Sequence, residues 1–210
     1  MYLSLLKLNH RSRKAMTETS RPYELHRSLM RAFPNHENGG PGRVLFRLDI
    51  DHREGDISVL VQSENKPDWT TLDGSGGFFL EQKCRDFNPS VAAGQVLFFR
   101  LRANPTKREK QSGKRLGILR EDDQIKWLHL KAKEGGFEVV SLTVIPEGIA
   151  HDKMTDGVDS KHNLSLLSVR FEGVLKVTDS HIFRQTLKCG IGSAKGLGFG
   201  LLSIALLNEG

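Results

Sequence analysis

Apolar positions along this chain change period several times, and the changes mark out elements. Met1–Leu8 is a short apolar strand candidate, and residues 9–20, polar and basic, read as a loop. Ser20-Arg21-Pro22 opens a helix: Ser can cap it, and Pro is tolerated in a first turn. Leu25, Leu29 and Phe33 supply its buried stripe at helical spacing, and Pro34 with the run Asn35–Gly42 stops it. Arg43–Asp49 and Ile57–Gln62 read as strands joined by an Asp51–Gly55 turn. Lys66–Asp73 suits a short helix and Phe78–Phe87 a fourth strand. The order β-α-β-β-α-β is that of a ferredoxin-like unit.

The order then recurs. Val96–Ala103 is a strand. Glu121–Lys133 is a helix with Ile125, Trp127 and Leu128 as apolar surface. Phe137–Ile145 and Leu164–Val177 are strands around a polar loop, His151–Asn163. Asp179 caps a helix through Leu187, and Leu197–Leu207 is a last strand. The expected fold is α+β, a tandem pair of ferredoxin-like (RRM-like) domains. They would span residues 1–90 and 95–210, joined near Asn88–Gly94. The repeat is one of topology, without a residue-level period.

Charge separates the halves. The chain has 31 Lys+Arg against 25 Asp+Glu, a formal net charge of +6. Residues 1–90 hold 13 basic and 12 acidic side chains, and residues 91–210 hold 18 and 13. A polyanionic partner would therefore lean on the second half. Cys84 and Cys189 form neither a disulfide framework nor a zinc motif. They read as buried, reduced thiols, which points to the cytoplasm. In MYLSLLKLNHRSRK the charges follow the short apolar run, the reverse of a signal peptide. No apolar stretch is long enough to cross a membrane as a helix.

Three groups of residues carry chemistry. His26 lies about 100° from Leu25 on a helical projection, at the edge of the apolar stripe, with Tyr23 one turn earlier. Arg27 and Arg31 follow on the outer face. A His beside a Tyr and two guanidinium groups suits acid–base work on a phosphodiester; from spacing alone, a boundary histidine that only packs is the favoured reading. Next come Gly190, Gly192, Gly196, Gly198 and Gly200 around Lys195. This segment fits neither G-x-x-x-x-G-K-[ST] nor G-x-G-x-x-G. Backbone N–H groups approaching phosphates and a loop needing positive φ for tight packing explain it equally well. Third, residues 100–120 carry Arg100, Arg102, Lys107, Arg108, Lys110, Lys114, Arg115 and Arg120 against one acid, Glu109. Such a run favours a phosphate-tracking surface. Arg102 has a structural alternative, since F-R-L-R places it with Arg100 on one face of a strand. Lys153 and Lys161, bordering the polar loop, are further candidates for such a surface. The other histidines show no ligand spacing, His151-Asp152 reads as a surface loop, and no further carboxylates join Asp49 and Asp51 to complete a Mg²⁺ site. No metal site and no cofactor are expected.

Six blocks in order carry a resemblance: MYLS at the start, Y-E-L-H at Tyr23–His26, F-P at Phe33-Pro34, F-R-L-R-A-N-P at Phe99–Pro105, F-E-G-V-L at Phe171–Leu175, and the glycine segment Gly190–Ser203. Together they span nearly the whole chain, and they resemble the CasE family, the CRISPR RNA-processing endoribonucleases of type I-E Cascade. The resemblance implies a tandem ferredoxin-like fold and cleavage of repeat RNA at the base of a stem-loop, without a metal. It implies a catalytic role for His26, assistance from Tyr23, and RNA contact by the glycine loop, including Gly192, Lys195 and Gly198. Attack by the RNA 2′-OH would leave a 2′,3′-cyclic (or 3′) phosphate and a 5′-OH, with His26 as general base or general acid. The implied partners are the repeat stem-loop and other Cascade subunits. The alternative is a non-catalytic RNA-binding subunit of the same fold.

Overall fold

A computed structural model describes residues 1–33, 41–51, 54–73, 77–111, 113–156 and 160–207, with backbone alone for residues 73, 153–156 and 160–162. Pro34, most of Asn35–Gly42, and the side chains of Lys153 and Lys161 lie outside the described residues. Two compact units emerge. The first comprises Met1–Asn88, Ala150–Ser165 and Gly196–Gly198, and the second Pro89–Ile149, Leu166–Lys195 and Phe199–Gly210.

The first unit holds strands β1 (Tyr2–Leu8), β2 (Val44–Ile50), β3 (Ile57–Ser63) and β4 (Phe79–Asp86) in the order β2-β3-β1-β4. All three neighbouring pairs are antiparallel, with Leu6 opposite Val59 and Leu6 also opposite Gln82. Ser4, Leu6 and Leu8 alternate inward, the period-two signature of a half-buried strand. Helices α1 (Arg13–Thr19), α2 (Pro22–Met30) and the short α3 (Thr70–Asp73) complete the unit. Leu25, Leu29 and Phe33 of the predicted stripe are buried in one core with Leu6, Leu8, Phe46, Val59 and Phe78.

The loop expected over residues 9–20 is instead largely α1. Ser12 caps it, its Oγ accepting from the Ala15 N–H, and Ala15 and Glu18 are its buried face. So narrow a face leaves little apolar pattern to read. Ser20, expected to cap α2, ends α1 and donates its hydroxyl to the Thr17 carbonyl. The α2 N-cap is Arg21, which makes no side-chain cap hydrogen bond.

The second unit repeats the strand order as β10-β5-β9-β8, where β5 is Val96–Ala103, β8 Phe137–Asp156, β9 Ser160–Val177 and β10 Leu202–Leu206. Leu97, Phe99, Leu101 and Ala103 alternate into a core with Phe137, Val169, Phe171 and Leu175. Helices α4 (Glu121–Glu134) and α5 (Ser180–Cys189) add Trp127, Leu128, Phe183 and Leu187. Asp179 caps α5 as expected, accepting from the His181 and Ile182 N–H groups at 2.9 Å.

Further expectations change. The basic run in residues 100–120 includes a hairpin, β6 (Thr106–Arg108) with β7 (Arg115–Gly117), closed by Glu109 N–H to Lys114 carbonyl at 2.8 Å. The loop expected at His151–Asn163 is largely strand: β8 runs on past Ile145 to Asp156, and β9 begins at Ser160. The last strand is shorter, since a 3₁₀ turn at Lys195–Leu197 precedes it. Both cysteines are exposed, not buried: Cys84 lies on β4, the edge strand beyond β1, which is exposed from Gln82 onward, and Cys189 is the last residue of α5. Among the described residues no helix is long and apolar enough to cross a membrane.

Candidate functional site

Helix α2 builds the first site. Its buried residues Leu25, Ser28 and Leu29 fix which side faces the core. One step round, His26 and Tyr23 fall at the margin, both half-buried, while Arg27 and Arg31 are exposed. The His26 ring lies nearly parallel to that of Phe46 on β2, with centroids 6.5 Å apart and an interplanar angle of 18°. Beside the ring runs Gly196, where an added Cβ would stand 3.7 Å from His26 Cε1. Burial holds the His26 imidazolium down, below the usual histidine value of 6.5, so the ring is neutral at neutral pH.

These residues border a cavity of about 510 Å³, with Lys14, Glu18, Tyr23, His26, Arg27 and Arg31 on its walls. Glu18 is buried and accepts a hydrogen bond from Ser28 Oγ at 2.9 Å, but its Oε2 has no hydrogen-bond partner among the described residues. Burial raises the Glu18 pKa, against the Ser28 hydrogen bond and the nearby Lys14 charge. Arg27 makes an exposed ion pair with Glu24 at 3.3 Å, one turn away. A neutral imidazole, a phenol and several cations around one cavity suit proton transfer near a phosphate.

Asp152 joins this unit unexpectedly. Expected on a surface loop, it lies on β8, and its Oδ2 accepts from the Tyr23 N–H at 2.7 Å. With Lys14, Glu18 and Phe46 it is a neighbour of the candidate residues that sequence reasoning missed. The i, i+4 pair Lys14 and Glu18 was the available signal, hidden in a segment read as loop.

The second unit gathers most of the other candidates. Lys107, Arg108, Lys114 and Arg115 are exposed on the β6–β7 hairpin. A cavity of about 540 Å³ is lined by Arg108, Arg115, Lys131 and Lys195, with Gly190–Ser193 along one wall. The glycines have a packing reason. Gly192 has φ +83° and its Cβ would stand 3.0 Å from the Trp127 ring, while Gly200 at φ +83° is hydrogen-bonded to Ile191 and Arg102 backbone. In the first unit, Gly198 has φ +86° and its Cβ would stand 3.0 Å from Phe46 Cε2. Arg102 has partners within the second unit: its Nε donates to Glu147 Oε2 at 2.6 Å and Ser168 Oγ at 2.9 Å, and its guanidinium lies over the Phe199 ring. Among the described residues no three His, Cys, Asp or Glu side chains group as metal ligands.

Two four-stranded antiparallel sheets of the same strand order define a tandem ferredoxin-like protein. A family profile described as CRISPR associated protein matches residues 1–205. The chain is 35% identical to the CRISPR-associated endoribonuclease Cse3 of Thermus thermophilus, covering 98% of this chain and 100% of the relative. It is 30% identical to the CRISPR system Cascade subunit CasE of Escherichia coli, covering 88% of this chain and 92% of that one. A solved structure of Cse3 bound to a 19-nucleotide RNA matches with TM-score 0.87 and 34% identity, over 98% of this chain and 100% of that one. The chain belongs to the CasE family of CRISPR-associated proteins.

Proposed function

We propose that this protein is an endoribonuclease that cuts CRISPR precursor RNA at the base of the repeat stem-loop, retains the mature guide and joins the other Cascade subunits. The reading is carried by one observation: a half-buried His26 on the same cavity wall as Tyr23, Arg27 and Arg31, in a chain related along its length to a named endoribonuclease.

The RNA supplies the nucleophile. Neutral His26 accepts the 2′-OH proton as that oxygen attacks the phosphorus in line. The P–O5′ bond breaks, and the leaving 5′ oxygen takes a proton from solvent water and departs as a hydroxyl. The other product is a 2′,3′-cyclic phosphate, which water opens to a 3′ phosphate. Tyr23 orients the reacting groups, and Arg27 and Arg31 balance charge on the phosphate. Lys107, Arg108, Lys114 and Arg115 on the hairpin, with Lys195 and the backbone around Gly192 and Gly198, hold the stem through its phosphates and shape. No step uses a metal.

His26→Ala is expected to lower cleavage by at least ~10²-fold, the scale of a lost general base, with RNA affinity nearly unchanged. A 2′-deoxy nucleotide before the scissile phosphate is expected to block the wild-type enzyme, and EDTA to leave it active. The wild-type rate is expected to fall on acidification through a midpoint below 6.5, because protonation removes the base. Normal cutting of the deoxy substrate, or loss of activity in EDTA, would refute the mechanism. Tight binding of repeat RNA without cleavage would make the protein a binding subunit.

A further inference from the structure

The helix that carries Tyr23 and His26 begins without a cap of its own. Its N-cap residue, Arg21, makes no side-chain hydrogen bond to the helix, and Pro22 at the first position has no N–H. Tyr23 therefore presents the first free backbone donor of the turn. That donor is taken by a carboxylate 129 residues away: Tyr23 N–H donates to Asp152 Oδ2 at 2.7 Å. The bond is charge-assisted, and a negative charge at a helix N-terminus is further favoured by the helix dipole. Asp152 itself sits on β8 rather than on a free loop. The preceding His151 reaches across to β9, its Nδ1 3.1 Å from Ser165 Oγ.

The rest of α2 is held by other means. Leu25 and Leu29 are in the core and Ser28 is bonded to Glu18. Those contacts set the rotation of the helix from its second turn onward. The first turn, where Tyr23 sits, has the Asp152 bond as its cap, and His26 follows one turn later. We infer that Asp152 is a positioning residue for the cleavage reaction, its carboxylate holding the Tyr23 N–H and thereby the first turn of α2 that presents Tyr23 and His26. This inference rests on the function proposed above.

Asp152→Ala removes the acceptor, and Asp152→Asn keeps an oxygen in its place without the charge. Each variant of the full chain is compared with wild type in single-turnover cleavage at saturating repeat RNA. Affinity is measured for the same RNA made uncleavable by a 2′-deoxy nucleotide. In the Ala variant the saturating rate is expected to fall at least about 10-fold, since small misplacements of reacting groups are expensive in rate. Affinity is expected to stay within about 3-fold, because phosphate contacts supply most of it. The thermal midpoint is expected to drop by about 2–4 °C, as for one lost cap in a chain of this size. The Tyr23 amide proton is expected to move upfield. Asp152→Asn is expected to recover most of the rate, and it carries the test if the Ala variant does not fold. A wild-type saturating rate in Asp152→Ala overturns the inference, as does a loss confined to affinity. An Asn variant as slow as the Ala variant removes the hydrogen bond as the cause. Wild-type protein that binds repeat RNA without cutting it overturns the proposed function and this inference together; wild-type cutting with a normal Asp152→Ala overturns the inference alone.

Discussion

Glu18 keeps one carboxylate oxygen on the Ser28 hydroxyl and buries the other without a hydrogen bond among the described residues. Its pKa in the fold is raised above 4.5 by burial. The protonated form is thus favoured by folding. Any stability this group contributes is fully present below pH 4.5 and is lost as pH rises through the folded value. Glu18→Gln, which removes the charge, is expected to stabilise the protein at pH 7 by about 1 kcal/mol, roughly 2–4 °C in thermal midpoint. The gain is expected to vanish near pH 4. Thermal melts of both proteins across that range check it, and a lower midpoint for Gln at pH 7 would mean that the carboxylate has a compensating partner. Glu18 also illustrates which residues were legible. Tyr23 and His26 could be placed at the margin of α2 because Leu25, Leu29 and Phe33 mark its buried stripe. Glu18 could not, since α1 buries only Ala15 beside it. Asp152 was beyond reach altogether, because spacing rules describe neighbours one turn or one strand apart and not a bond across 129 residues.

The glycine segment behaves as a packed element. Gly192 and Gly198 combine positive φ with an aromatic ring 3.0 Å from where a Cβ would stand. Gly192→Val and Gly198→Val are each expected to cost about 1–3 kcal/mol, from backbone strain and overpacking. RNA binding is expected to weaken as well. Gly196→Ala is the contrast: its Cβ would make ordinary contact with the His26 ring at 3.7 Å, without positive φ. That change is expected to stay within about 0.5 kcal/mol. Urea unfolding ranks the three, and a stable Gly198→Val would show that the Phe46 ring yields easily. Elements differed in legibility for similar physical reasons. β5, with strict alternation from Val96 to Ala103, matched its expected bounds. β8 extends well past Ile145 because pairing with β9 sustains it through a stretch whose composition resembles a turn. The β6–β7 hairpin is only three residues a side and exposed, so it left a charge run to read and no apolar pattern.

At the scale of the molecule, charge and chain order matter most. The four hairpin cations Lys107, Arg108, Lys114 and Arg115 lie in the more basic half of the sequence. Reversing all four is expected to weaken repeat-RNA binding and flatten its salt dependence, by roughly 1 in log–log slope for each phosphate that the protein no longer neutralises. Titrations at several salt concentrations check this, and an unchanged slope would remove the hairpin from the RNA surface. The first compact unit is also not contiguous in the chain, since Ala150–Ser165 and Gly196–Gly198 belong with Met1–Asn88. A ribosome therefore releases His26 early. Asp152, which secures its helix, and Gly196, which lies against its ring, are made only much later. A nascent chain, or one cut short by premature termination, holds the histidine without its surroundings. The order of synthesis thereby delays a finished His26 environment until most of the polypeptide exists.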